Sequence, residues 1–247
     1  MYLIILIINN YSGGLSKLKI FNNDFYGIFI KRPNRFIIYA LLNGKEVVCH
    51  CPNTGRMGEL LIPGVKLILE KSQNPKRKTE FTVVAIYKGE LIVPITSARA
   101  NDVAQELIIP KLFPELDIRR EVTYKKSRFD FFIGGTTYIE VKSCTLFNGE
   151  LAVFPDAPTI RGVKHLKELL DSSNNGYSAA VILVVFNPEA KLFTPNYITD
   201  PLFAQTLFDV SSNIKVFPYK VGVDPMGNIM EVENPILPIS YKGDLLG

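Results

Sequence analysis

The sequence predicts two domains, a small N-terminal β-barrel followed by a C-terminal α/β half. Three observations carry this expectation. From Leu18 to about Pro94 the chain runs in short β-prone stretches broken by turns. After Pro94 helical and strand-like runs alternate. In that second half, two carboxylates and a lysine fall on adjacent strands of one hairpin. We place the domains at residues 1–96 and 97–247.

In the N-terminal half, Tyr26–Ile30 and Phe36–Leu42 are apolar, β-prone runs. Asn43-Gly44 follows the second and precedes Glu46–His50, the arrangement that most strongly marks a tight hairpin. Val65–Glu70 and Phe81–Tyr87 are two further strands around the polar loop Lys71 to Thr79, and Lys88-Gly89-Glu90 turns into Leu91–Val93. Five or six short strands with few helices suggest a closed or nearly closed barrel. An oligonucleotide-binding-type (OB-fold-like) barrel fits that count, as do other small barrels.

Beyond Pro94, Val103, Leu107 and Ile108 lie near helical spacing in a helix spanning Ser97 to Leu112. Strands follow at Ile118–Tyr124, Arg128–Ile133 and Thr136–Ser143, the last two joined by Gly134-Gly135. Thr159 is a good N-cap for an amphipathic helix whose stripe is Val163, Leu166, Leu169 and Leu170. Ala179–Phe186 is apolar throughout, as in a buried parallel strand. A helix near Asp200–Ser211 and a strand near Ile214–Tyr219 complete the order helix, three strands, helix, strand, helix, strand.

The 247 residues are 47% hydrophobic and carry a net charge of +4, a mild lean toward polyanionic partners. The 3 Cys suit a reducing compartment rather than a disulfide framework. Cys49-His50-Cys51 offers too few ligands for a structural zinc and reads as small half-buried thiols. Met1–Ile8 is apolar but far shorter than the roughly 20 residues that cross a bilayer. We expect a cytoplasmic protein without a membrane partner, its first residues a strand or an extension. The oligomeric state is not legible.

Asp130 lies in the second strand of the α/β half and Glu140-Val141-Lys142 in the third. Residues two apart on a strand share a face, so Glu140 and Lys142 project together, and the hairpin brings Asp130 across to meet them. Two carboxylates in an apolar strand pair repel one another unless a cation stands between them. Mg²⁺, with Mn²⁺ as a substitute, suits such a pair plus phosphate oxygens, and Lys142 would orient a water and offset growing negative charge. The pattern is similar to that of the PD-(D/E)xK nuclease superfamily. A solvated surface hairpin with ordinary ion pairs is the alternative. Glu121 and Glu106 are candidates for a further acidic ligand, and Asp156 for a turn residue or supporting acid.

Arg161 and Lys164 lie in the first turns of the amphipathic helix, where phosphate is attracted, and His165 reads there as a hydrogen-bonded residue rather than a catalytic one. In the barrel half, the loops with Arg32, Arg35, Arg56, Arg77 and Lys78 lie beside Phe36 and Tyr39, a mixture suited to a nucleic-acid strand.

Arg32-Pro33-Asn34-Arg35-Phe36, Pro52-Asn53-Thr54-Gly55-Arg56-Met57, Ser127-Arg128-Phe129-Asp130, Glu140-Val141-Lys142 and the stretch from Phe154-Pro155-Asp156-Ala157-Pro158-Thr159 through Arg161-Gly162 to Lys164-His165-Leu166 resemble the sugar fermentation stimulation protein A family in motif and order, over about residues 20 to 220. The resemblance implies an OB-type barrel and a PD-(D/E)xK-type domain. It further implies DNA binding with little sequence preference, and a regulatory link to sugar (maltose) metabolism in bacterial members. Asp130, Glu140 and Lys142 would be its nuclease-like triad, and Arg32, Arg35 and Arg56 its DNA contacts. The first 18 or so residues match nothing in the family.

Overall fold

The structure is a computed structural model that describes residues 15–114 and 116–241. The apolar run Met1–Ile8 lies outside the described residues. In chain order the elements begin with β1 (Leu15–Lys19), β2 (Phe25–Asn34), β3 (Ile37–Leu42), β4 (Lys45–His50), β5 (Lys66–Lys71), β6 (Phe81–Lys88) and β7 (Leu91–Pro94). Then come α1 (Ser97–Val103), a π-helical turn (Ala104–Ile108), α2 (Ile109–Leu112), β8 (Ile118–Tyr124), β9 (Ser127–Ile133) and β10 (Thr137–Cys144). The rest is β11 (Leu146–Asn148), β12 (Leu151–Phe154), α3 (Ile160–Asn174), β13 (Ser178–Val185), β14 (Leu192–Pro195), α4 (Pro201–Val210), β15 (Lys215–Lys220), β16 (Gly222–Val223) and β17 (Asn228–Met230).

The chain forms two compact units. The first takes the chain up to Arg99 and also recovers Phe186–Pro188 and Lys220–Pro235, so the division is not a single cut. Its centre is a barrel of five strands. Antiparallel pairings join β4 to β3, β3 to β2, β2 to β5 and β5 to β6. A short parallel pairing of β4 with β6, through Cys49↔Phe81 and His50↔Thr82, closes the ring, and β7 extends it from β6. Asn43 and Gly44, both with positive φ, turn β3 into β4 with Leu42 opposite Lys45, the two-residue hairpin expected of this dipeptide. Period-two alternation fills the barrel. On β2, Gly27 and Phe29 point inward while Tyr26 and Ile28 are exposed. Gly27 is required there, because a Cβ would meet Leu69 Cδ1 at 2.9 Å and Ala40 Cβ at 3.3 Å. Beside the barrel, β1, β17 and β16 form a small sheet.

The second unit is built on a five-stranded sheet in the order β15-β13-β10-β9-β8. β10 runs parallel to β13 over eight pairs, from Thr137↔Ser178 to Cys144↔Val185. Both strands are buried almost throughout; β13 is apolar beyond Ser178, as suits a central parallel strand, whereas β10 carries Glu140 and Lys142 into that setting. Helix α3 packs on β9, β10 and β13, and α4 packs on α3. Asp200 ties the two helix starts together: one oxygen caps α4 at Phe203 N–H (2.9 Å) and the other accepts the Thr159 N–H (2.7 Å) ahead of α3.

Three features depart from the sequence expectation. The strand–helix alternation is interrupted by a second sheet of β11, β12 and β14. Those strands have 3, 4 and 4 residues, too few for a period to show. The expected single helix Ser97–Leu112 contains a π turn. Pro110 has no N–H to give to the carbonyl four residues back, and Ile109 N–H reaches Ala104 O instead. At Gly134-Gly135 the turn closes through Thr136 N–H to Ile133 O (3.1 Å), and the ladder resumes at Ile133↔Thr137, so three residues rather than two separate the strands.

Candidate functional site

The register of β9 and β10, Phe131↔Ile139, places Asp130 across from Glu140 one step further along. There a side chain replaces a ladder bond: Asp130 Oδ2 accepts the Val141 N–H at 2.8 Å. Its other oxygen accepts the Asn101 amide of α1 at 2.8 Å. Glu140 is 4% exposed. Its Oε1 takes two donors, Lys142 Nζ from two residues on and His165 Nδ1 from α3. Its Oε2 is buried and has no hydrogen-bond partner among the described residues. Asp130, Glu140 and Lys142 thus share one face, and α3 supplies His165 against it.

The two acids are pushed in opposite directions. Burial, and then the Glu140 charge, raise Asp130 above the usual carboxylate range against its N–H donors and Lys142. Burial also opposes ionisation of Glu140, but the His165 hydrogen bond and the Lys142 ammonium outweigh it and hold this carboxyl below its usual range. Adjacent acids separated in this way are a mark of functional centres.

His165 is 4% exposed, its ring edge-on to Phe129 at 5.9 Å. Its Nε2 accepts from Arg161 Nε at 3.3 Å. Sequence reasoning gave this residue only a hydrogen-bonding role. Its partner Glu140 lies 25 positions away, and nothing local to the helix reveals it. Asn101 was missed for the same reason, standing 29 positions from Asp130. Lys164 is drawn to Lys126 O (2.9 Å) and Glu168 (3.8 Å). Glu121, expected as a further metal ligand, does not join the acids. It sits at positive φ, 48% exposed, paired with Arg128 at 2.6 Å. Glu106 is exposed, and Asp156 keeps one buried oxygen without a partner. Among the described residues no group of three or more His, Cys, Asp or Glu side chains is placed to hold a metal ion.

In the barrel unit, Arg32 differs from its expected role as a DNA contact. Its half-buried guanidinium donates to four backbone carbonyls, those of Gly55 (2.7 Å), Arg56 (3.1 Å), Arg35 (2.9 Å) and Asn53 (2.7 Å). It ties the two loops that carry Arg35 and Arg56, both exposed. Arg77 reaches Thr82 Oγ1 (3.0 Å) and Thr79 Oγ1 (3.2 Å), and Lys78 beside it is exposed. Cations lie over exposed or half-exposed rings on the barrel: Lys31 over Tyr39 (4.8 Å), Arg35 over Phe36 (5.6 Å) and Lys66 over Tyr26 (3.7 Å). Cys49 and Cys51 are buried in the barrel core, where burial pushes the Cys49 thiol up to about 12. No described helix is long and apolar enough to cross a membrane.

Comparison with known proteins agrees with this layout. Residues 30–95 match the SfsA N-terminal OB domain, and residues 98–227 match the sugar fermentation stimulation protein RE domain. A sugar fermentation stimulation protein homolog of Clostridium beijerinckii is 45% identical over 192 residues, 76% of this chain and 85% of that protein. A homolog of Clostridium tetani is 41% identical over 205 residues, 79% of this chain and 89% of that one. The solved structure of Pyrococcus furiosus SfsA in complex with Ca²⁺ superposes with a TM-score of 0.78 at 27% identity, covering 90% of this chain and 99% of that one. With both domain models matched in order and relatives above 40% identity, the chain belongs to the sugar fermentation stimulation protein family.

Proposed function

We propose that the protein binds nucleic acid, most readily DNA with little sequence preference, and that its second unit hydrolyses phosphodiester bonds with Mg²⁺ at Asp130, Glu140 and Lys142. The observation that carries this is the Glu140 carboxylate: buried, held ionised, and left with one oxygen that no described residue satisfies. An orphaned buried carboxylate oxygen beside a second carboxylate costs several kcal/mol unless a cation completes it. The donors are hard oxygens, which fits Mg²⁺ or Mn²⁺, and the relative from Pyrococcus furiosus was solved with Ca²⁺. Bound there, the ion would lower the pKa of a water and offset charge on the phosphoryl group. Glu140 and Asp130 would hold it. Lys142, on the Glu140 oxygen, would orient the attacking water, and Arg161 on α3 would hold a phosphate oxygen. The exposed Arg35, Arg56 and Lys78, with the ring–cation pairs of the barrel, would follow the backbone and bases of the strand. We place this activity in the cytoplasm.

A second reading is a non-catalytic DNA-binding regulator of sugar metabolism. It is favoured by one observation: both Asp130 oxygens and Glu140 Oε1 already accept hydrogen bonds, so the acid pair is partly satisfied without an ion.

The test uses end-labelled single- and double-stranded DNA and RNA with Mg²⁺, Mn²⁺ or chelator. We expect metal-dependent cleavage that falls about 100-fold or more in Asp130→Asn and in Glu140→Gln. Salt-sensitive binding without cleavage on any substrate would establish the second reading instead.

A further inference from the structure

The acidic centre continues into α3 through His165, which links two residues of the proposed reaction, Glu140 and Arg161, and has no role of its own in it. Arg161 and His165 are one helical turn apart, and the Arg161 Nε–H reaches the buried ring at Nε2, 3.3 Å away. A guanidinium N–H can only donate, so His165 Nε2 must accept. The ring proton therefore lies on Nδ1, facing Glu140 Oε1, and Nδ1–H is the donor in that contact. Lys142 donates to the same oxygen. Two donors on Oε1 and none on Oε2 fix the rotation of the carboxylate and leave one defined oxygen vacant. At the other end Arg161 is exposed, and its Nε is anchored on the ring.

We propose that His165 is a positioning residue that locks Glu140 and Arg161 into one rigid chain, setting the cation-binding oxygen and a phosphate-binding guanidinium at a fixed separation. The proposal rests on the reading of the acidic centre as a phosphodiester site. A phosphodiester bound across the two ends would meet a carboxylate and a guanidinium already oriented, which lowers the cost of ordering them at binding. Partners of this supporting kind are worth about 10–100-fold in metal affinity where they orient a ligating group.

The variants separate the two ends. His165→Asn keeps an N–H near the Nδ1 position and loses the acceptor for Arg161, whereas His165→Phe loses both ends and keeps the ring on Phe129. We expect His165→Phe to weaken Mn²⁺ binding by calorimetry about tenfold or more. His165→Asn should stay near wild type for Mn²⁺. It should weaken oligothymidylate binding in Ca²⁺, read by fluorescence anisotropy, as much as Arg161→Met does. The tautomer is read without any metal from ¹⁵N–¹H spectra of the ring. The chain has only 2 His, so His50→Gln assigns both. We expect the Nδ1–H form, with an Nε2 signal that moves in Arg161→Met. A proton on Nε2 overturns the proposal. So do His165→Phe and His165→Asn variants that lose melting temperature yet keep wild-type affinity for Mn²⁺ and oligothymidylate. A wild-type chain that binds no Mn²⁺, but whose ring is in the Nδ1–H form and responds to Arg161→Met, removes the cation site and leaves the chain of contacts standing.

Discussion

Glu140 and Arg32 present the same physical problem with opposite charges: a half-buried or buried ion must find enough partners in the protein to replace water. Glu140 finds Lys142 and His165. Lys142→Met removes one of them while His165 remains, so we expect a loss of about 1–3 kcal/mol at neutral pH. The pH dependence has a definite sign. Glu140 has a folded pKa below its unfolded value, so its contribution is fully present above about pH 4.3 and is lost as pH falls through the folded pKa. The gap in melting temperature between wild type and Lys142→Met should therefore be wide at pH 7 and narrow steadily below about pH 4; a gap that widens in acid would contradict the ion pair. Arg32 finds four backbone carbonyls. Lysine has no planar fork to span them. Both Arg32→Lys and Arg32→Met should lose about 2–3 kcal/mol in thermal melts and expose the Asn53–Met57 loop to limited proteolysis.

At the scale of elements, much was readable. Asn43-Gly44, the β9–β10 hairpin and the parallel β13 follow from turn chemistry and period, and the hairpin alone aligns Asp130, Glu140 and Lys142. The Arg32 contacts were not readable because their acceptors are main-chain oxygens, which every sequence has; the hydrogen-bonding role of His165 was readable but its partner Glu140 was not, and Asn101 was missed, because those partners arrive from distant segments. The short β11, β12 and β14 were invisible because pairing, not local preference, defines them. The start of α3 shows how an element serves the site. A Cβ on Gly162 would meet Thr159 Cγ2 at 2.8 Å and Oγ1 at 2.9 Å, and Phe203 at 3.1 Å. Gly162→Ala should therefore push the Thr159 cap off the helix and α4 away, at a cost of about 1–2 kcal/mol. Arg161 precedes this glycine and His165 follows it, so the same substitution should alter the His165 ring signals in ¹⁵N–¹H spectra. An unchanged melt and unchanged signals would mean that the first turn relaxes freely.

For the molecule as a whole, the excess positive charge is small, +4, so any grip on nucleic acid must come from where cations sit rather than from their sum. The cations over exposed or half-exposed rings lie on the barrel unit, whereas Arg119, Arg120 and Lys125 of the other unit, which holds the acid pair, cover buried rings. Binding and hydrolysis should then separate by mutation. Arg35→Glu combined with Arg56→Glu should weaken DNA binding about tenfold or more in a filter assay and flatten its dependence on salt, because fewer counterions are released. Asp130→Asn removes a negative charge from the site a phosphate would approach, so it should bind DNA at least as tightly as wild type while losing cleavage. If instead the arginine pair leaves affinity and salt slope untouched while Arg161→Met abolishes binding, then the strand is held by the α/β unit alone. The barrel's ring–cation pairs would in that case be ordinary surface packing.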